Sequence, residues 1–369
     1  MPVSLMTSST TVDALRKKYH SFNAPTVEIK IGGTDIITKK NAVVTDLCIE
    51  LTAGYEASGA SFNVIQQYDF EQSEFKNDGP ASSLEVGAKV EISIGYIALE
   101  TVFSGLISEV MLRFDMDEEP MIHVECVDAK IEMMKNQRIE VRSETDAAAL
   151  INALLGVSPV SGYLSSKDVS VTKQVKIPLR MNQETDYDYL VKLAKYLGCE
   201  FFIVAGTVYF RDPPSSASTI MTVNMQDEIL LSAGFVMSGA QLVETVSVLG
   251  IDPAKDEMIT GKAKTSGKYS AASGGKQMIG GSIKSFVDPY AKTVSDLNER
   301  AKTLLAEFNG GFGRLEMSLQ GIPELVPGRS ITLDGFSANM NKTFYITKVA
   351  HRLDEEGFVT NLEARLDSL

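Results

Sequence analysis

Leu84-Glu85-Val86-Gly87-Ala88-Lys89-Val90-Glu91-Ile92 and Leu325-Val326-Pro327-Gly328-Arg329-Ser330-Ile331-Thr332-Leu333 read as two copies of one element, a glycine turn entering an alternating strand. The glycines stand 241 positions apart (328 − 87), and the same offset carries Phe103 onto Phe344. In each copy a polar turn follows, and an aromatic residue opens the next strand: Phe103-Ser104-Gly105-Leu106-Ile107 and Phe344-Tyr345-Ile346-Thr347-Lys348. An acidic loop (Asp115 to Glu119; Asp354 to Glu356) then leads to a third alternating strand. Glycine enters turns that need positive φ without Cβ strain, and period-two alternation marks a half-buried strand. The repeat therefore predicts a duplicated β-barrel, with Gly87 over Gly328 and Phe103 over Phe344.

Around this repeat, 369 residues with 44% hydrophobic and 22% charged content are enough for two or three folded domains. A net charge of −13 opposes general attraction to phosphate backbones, so no specific nucleic-acid binding is expected. Cys48, Cys126 and Cys199 lie far apart with no CxxC, which excludes a disulfide framework and a cysteine-rich metal site. The first twenty residues lack the apolar block of a signal peptide, and no apolar run reaches the roughly 20 residues of a membrane span. Synthesis in the cytoplasm and no membrane insertion are the expectations.

Along the chain, residues 1–24 read as an N-terminal arm and 25–135 as a first β-barrel domain, with strands near Val27–Ile31, Val43–Leu51, Ser61–Ile65, Val90–Ile94, Val102–Val110 and Met121–Val127. Residues 136–215 read as a small α/β module. Ser143-Glu144-Thr145-Asp146 offers an N-cap and acidic first turn to a helix from Ala147 to Leu155 that Gly156 stops, and a second helix runs from about Thr185 to Gly198. Ala205-Gly206-Thr207 then turns a tight hairpin. Residues 216–369 read as a second β-barrel domain with an inserted flexible loop (261–282) and a helix (289–309) begun by Asp288-Pro289. The fold class expected is mainly β with an α+β insertion: two similar antiparallel β-barrels and a small α/β module.

Sequence signatures of chemistry are missing. There is no GxSxG or GxGxxG, and Gln277 follows Gly274-Gly275-Lys276 where a phosphate loop needs Ser or Thr. His20, His123 and His351 fall in separate segments without zinc spacing. Asp115 to Glu119 reads as a solvated hairpin tip, and Asp186 and Asp188 sit where a helix dipole favours negative charge. No catalytic, cofactor-binding or metal-ligating residue is assigned.

The order of these elements resembles the phage late-control D family, the tail hub proteins of contractile phages, tailocins and related injection systems. The matching stretches are Val27 to Ile31 with Gly32-Gly33, Val86-Gly87 followed by Phe103 to Ile107, Asn182 to Ala194, and Pro327-Gly328 with Tyr345 to His351. The resemblance implies a non-enzymatic homotrimer, part of the particle's baseplate, whose duplicated barrels form a pseudo-hexameric ring between the tail tube and a trimeric spike. Its implied partners are a separate trimeric spike protein, a tail tube or tube-initiator protein, and baseplate wedge proteins. Because only Asp367-Ser368-Leu369 follow the last strand, the spike is expected on another polypeptide. The reading from another class is a particle-associated cell-wall glycan hydrolase using carboxylates brought together between modules. A carbohydrate-binding β protein is disfavoured by the absence of Trp.

Overall fold

The computed structural model describes residues 2–65, 68–69, 71–72, 74–75, 79–114, 120–141, 146–157, 159–172, 180–214, 218–265, 280–337 and 340–366. After a short helix (Val12–Lys18), the chain lays down β1 (Thr26–Ile31), β2 (Thr34–Asp35), β3 (Val43–Thr52), β4 (Gly59–Ile65), β5 (Tyr68–Asp69), β6 (Glu74–Phe75), β7 (Lys89–Gly95), β8 (Leu99–Arg113) and β9 (Met121–Val127). A mixed segment follows: β10 (Gln137–Val141), helix Ala147–Leu155, β11 (Ser166–Ser170), β12 (Arg180–Thr185), helix Asp186–Leu197, β13 (Glu200–Val204) and β14 (Thr207–Arg211). The last part holds β15 (Thr219–Asn224), β16 (Leu230–Met237), β17 (Thr245–Asp252), β18 (Glu257–Lys264), β19 (Ile283–Val287), helix Val294–Asn309, β20 (Gly313–Gln320), β21 (Ser330–Asp334), β22 (Thr343–Asp354) and β23 (Gly357–Leu366). The protein is mainly β, with large antiparallel sheets and a few helices.

Thirteen strands form one sheet in the order β16-β20-β23-β22-β3-β4-β9-β8-β7-β1-β2, with β21 and β15 branching from β22. It consists of two similar halves. β3-β4-β9-β8-β7 in the first matches β16-β20-β23-β22-β21 in the second, and β3 pairs with β22 to join them, from Lys348↔Thr52 to Leu353↔Leu47. The outermost strands differ, since β1 runs antiparallel to β7 whereas β15 runs parallel to β21. Apolar residues of both halves merge into a single core, from Ile29 and Phe62 to Phe344 and Leu362.

The repeat is visible in hydrogen bonds. The Gly87 N–H donates to Ile107 O (2.8 Å) and the Ile107 N–H to Ala88 O (3.0 Å); the Gly328 N–H donates to Ile346 O (3.0 Å) and the Ile346 N–H to Arg329 O (2.8 Å). One residue later each long strand bulges, at Ser108 and at Thr347, and each bulge hydroxyl donates to the neighbouring strand, Ser108 to Glu125 O (3.1 Å) and Thr347 to Glu363 O (3.0 Å). Gly87 therefore corresponds to Gly328. The expected match of Phe103 with Phe344 is corrected by two residues: with Ile107 over Ile346 (346 − 107 = 239), Phe344 falls on Gly105. A side chain on Gly105 would strike the Phe103 ring, 2.8 Å from its Cζ. The first half thus brings an aromatic ring to this place from two residues away, and a two-residue slip leaves the buried face unchanged.

Two smaller cores flank the sheet. The β13–β14 hairpin is buried on both faces: Phe202, Val204 and Tyr209 enter the sheet core, while Phe201, Ile203, Val208 and Phe210 enter the core of the α/β segment. Its two-residue turn is Ala205-Gly206, both at positive φ. Thr185 and Asp188 form a capping box on the helix that Gly198 ends in the left-handed region, and Asp146 caps Ala147–Leu155. The third core packs helix Val294–Asn309 on β17 and β18.

Here two expectations change. The helix starts at Val294 under a Thr293 cap, and Asp288 instead accepts from the Tyr290 and Ala291 N–H groups in a preceding turn. Gly261 to Lys264, expected to open a flexible loop, continue β18 against β17. Gly261 and Ala263 are buried there, and a Cβ on Gly261 would lie 2.4 Å from the Leu297 backbone, so the small residues permit close approach to the helix. The rest of that loop, 266–279, including Gly274-Gly275-Lys276, lies outside the described residues, as do Asp115 to Glu119.

Gly87 and Gly328 adopt φ of +90° and +88°, but a Cβ would meet nothing within 4 Å at Gly87 and the Phe202 ring at 2.6 Å at Gly328. Gly87→Ala is expected to cost roughly 1–2 kcal/mol and Gly328→Ala clearly more in urea unfolding. Equal losses would contradict this packing.

Candidate functional site

The candidate site lies on the face of the large sheet. Across β16, β20, β23, β22 and β3 the sheet face forms a groove of about 740 Å³. Glu50, Glu56, Glu316 and Glu363 line it together with Lys348, whose Nζ lies 3.6 Å from Glu56. No histidine or cysteine lines it. Among the described residues no group of three or more His, Cys, Asp or Glu side chains is placed to hold a metal ion, and no helix is long and apolar enough to cross a membrane.

The histidines stand apart in role. His20 is exposed in a short turn (His20–Phe22). His123 on β9 pairs through Nδ1 with Asn63 (2.7 Å) and through Nε2 with Glu125 (2.8 Å). His351 on β22 is buried, with Nδ1 3.0 Å from the Thr360 hydroxyl, and burial pushes its pKa down to about 4. Cys48, Cys126 and Cys199 form no disulfide, and the Cys199 thiol donates to Asp212 (3.4 Å). Asp186 pairs with Arg138 (3.0 Å) and Asp188 serves the capping box, so both act in structure.

Charged groups that are buried or pair with buried partners fix how the parts meet, and sequence patterning does not single them out. Lys18 bridges Glu100 of the first half and Glu324 of the second (2.7 Å each), and the Tyr19 hydroxyl also donates to Glu324 (2.7 Å). Arg211 on β14 donates to Glu200 (3.0 Å) and to the Gly328 carbonyl (2.9 Å), and the Tyr345 hydroxyl donates to Glu200 (2.6 Å). Lys130, fully buried, donates to the carbonyls of Gly54, Tyr55 and Glu56, while Asp128 accepts from the Ser58 and Lys130 N–H groups. Burial lowers the Lys130 pKa and raises that of Asp128. Arg329 binds the Thr7 carbonyl and so ties the N-terminal segment to the second glycine turn. Apart from Arg211 with Glu200 and Asp128 with the Lys130 N–H, these partners are 70 or more residues apart, and no local spacing signals them.

The other conspicuous feature is apolar. Met111 (50% exposed) and Leu112 (54%) lie on β8 beyond its bulge, and Leu231 (57%), Val236 (47%) and Met237 (39%) lie on β16 at the end of the sheet. Exposed apolar strand edges mark places where chains pair.

A mainly β chain with a duplicated half-sheet, linked by strand pairing and braced by an α/β segment, defines the structural class. A family model described as the Alg8 N-terminal domain matches residues 22–355, and the chain belongs to that family. The fold is similar to that of the 43 kDa tail protein of prophage MuSo2 from Shewanella oneidensis, with a TM-score of 0.66, 14% identity, and coverage of 93% of this chain and 99% of that one. It is also similar to the tail protein from Neisseria meningitidis MC58, with a TM-score of 0.68, 14% identity, and coverage of 93% and 97%. A third similar fold is the E. coli c3393 protein, described as a type VI secretion component resembling the T4 tail proteins gp27 and gp5, with a TM-score of 0.59, 11% identity, and coverage of 92% and 76%. A comparison with curated proteins finds no match. At these identities the likeness is one of fold.

The buried His351 gives a pH signature. The unfolded imidazole takes up a proton near pH 6.5, whereas the folded one resists until about pH 4. Stability should therefore fall as the pH drops through that window, by up to about 3 kcal/mol from this residue. His351→Gln should flatten the fall; parallel wild-type and variant curves would contradict the assignment.

Proposed function

We propose that this chain is a structural tail hub of the late-control D type, a homotrimer whose six half-sheets form a pseudo-hexameric ring joining a tail tube to a trimeric spike. The observation that carries the reading is the repeat itself: the same glycine turn, the same bulge and the same hydroxyl contact recur in both halves of one chain. Three copies then present six near-equivalent surfaces to a six-fold tube while keeping three-fold symmetry for a spike. In this reading residues 25–135 and 216–369 are the two ring-forming domains, 136–215 braces them, and 1–24 straps them together.

The partners that follow are a separate trimeric spike protein, a tube or tube-initiator protein, and wedge proteins of the baseplate. The product is a component of a phage or phage-tail-like particle made in the bacterial cytoplasm. Its fold likeness to two tail proteins supports that placement. The role is to template assembly, with no turnover of a substrate.

Native mass measurement of the purified chain and of hub released from particles should give three times the 40.1 kDa of one chain. A monomer within the particle would contradict the proposal. Purified peptidoglycan should remain intact with the trimer; its solubilisation would favour the glycan-hydrolase reading instead.

A further inference from the structure

The small sheet β18-β17-β19 has two unlike faces. Val246 and Val248 of β17, Gly261 and Ala263 of β18 and Phe286 of β19 turn to helix Val294–Asn309 and its core. Alternation sends their neighbours to the other face. There the registers Ile251↔Met258 and Leu249↔Val287 set four apolar side chains in one strip across the three strands. Ile251, Met258, Val287 and, further along β19, Ile283 are all more than half exposed. Among the described residues no helix and no second sheet packs on this face. The open face of an antiparallel sheet ordinarily carries polar residues, as the large sheet does with Glu50, Glu316, Asn361 and Glu363. A contiguous apolar strip on such a face marks a place of contact.

We propose that this face docks the trimeric spike, with one spike subunit on the small sheet of each chain. The inference rests on the hub reading above and names the surface that joins hub to spike. Symmetry selects the partner. The small sheet lies between β16 and β20, whereas only residues 53–58 lie between the equivalent β3 and β4, so three chains carry six half-sheets but three copies of this face. A six-fold tube needs six equivalent contacts, and a three-fold spike needs three. The ring of half-sheets accounts for contact between copies, and the small sheet has a core of its own.

Charge narrows the chemistry of the matching surface. The charged strand residues on this face are Lys262 and Lys264, and Lys264 already lies 3.1 Å from Glu244. In a chain of net charge −13 they make a basic rim beside the apolar strip. The spike surface that fits is therefore apolar at its centre, with a carboxylate that meets Lys262. The face is also held on a fixed platform. Arg300 of the helix behind it donates to the Lys195 and Tyr196 carbonyls (2.9 Å each) at the end of helix Asp186–Leu197, and Gly198 leaves room for Thr303. A surface fixed before contact loses less entropy on binding.

The full chain, tagged and expressed together with the spike chain of the same particle, tests the docking. Met258→Glu with Val287→Glu should leave the native mass of the hub trimer unchanged and lower the retained spike at least about tenfold. Lys262→Glu should lower it as well, whereas the conservative pair Met258→Leu with Val287→Ile should not. A variant trimer that retains the spike as fully as the wild type, or a wild-type trimer that retains none, would overturn the docking and leave the trimeric ring standing. Loss of the trimer itself in the Glu variant, with the conservative pair still trimeric, would place a second copy on this face and also overturn the proposal. A wild-type chain that stays monomeric and retains no spike would overturn both readings.

Discussion

A β-strand offers hydrogen-bonding groups on two sides, and the fold depends on how one strand, β22, uses them. One side pairs with β23 throughout; the other is divided by the Thr347 bulge between β21 and β3. A bulge bends its strand and interrupts the ladder, which lets two half-sheets meet edge to edge instead of closing separately. The paired segment buries Ile49, Leu51, Val349 and His351, and the two halves share one apolar core as a result. Without that pairing each half would expose an apolar edge, as β8 and β16 do at the ends of the chain's repeat.

Everything else braces this joint. The N-terminal segment sits across the halves with Leu15, Tyr19 and Phe22 in the common core, and Lys18 bridges a carboxylate from each side. Arg211, Glu200 and Tyr345 lock the β13–β14 hairpin to the second half. Buried ion pairs contribute little net stability once desolvation is counted, but losing one partner is costly, so they favour a single arrangement. Besides their outermost strands, the halves differ in one connection. β3 and β4 are joined by a short loop (53–58), whereas the equivalent β16 and β20 are separated by residues 238–312, whose described part holds three strands and a helix. That inequality makes the proposed ring three-fold outside and nearly six-fold in its sheet.

Much of this was legible in the sequence because its signals are local. The alternation of Val27 to Ile31, the capping stretch Ser143 to Asp146, the Gly198 stop and the Ala205-Gly206 turn each act within a few residues, and Gly87 and Gly328 announced the repeat. What failed did so for physical reasons. Phe103 was matched to Phe344 by residue type, whereas hydrogen-bond register places the ring over Gly105. Gly261 and Ala263 resembled loop composition because close packing on a helix also demands small residues. β16 went unnoticed because Leu230 to Met237 mix apolar residues with Ser, Ala and Gly, and an edge strand needs no strict alternation. The Lys130 and Arg211 contacts join distant segments, which no pattern in one sequence reveals.

The central claim is that one chain supplies two equivalent sectors of a ring. A cryo-EM reconstruction of the chain in its assembled state, refined without imposed symmetry, tests it most directly. The account predicts three chains around the axis, with β3-β4-β9-β8 of each superposing on β16-β20-β23-β22 by a rotation of about 60°, one sixth of a closed ring. Three chains whose two half-sheets lie at different radii, or any other number of chains, would contradict it.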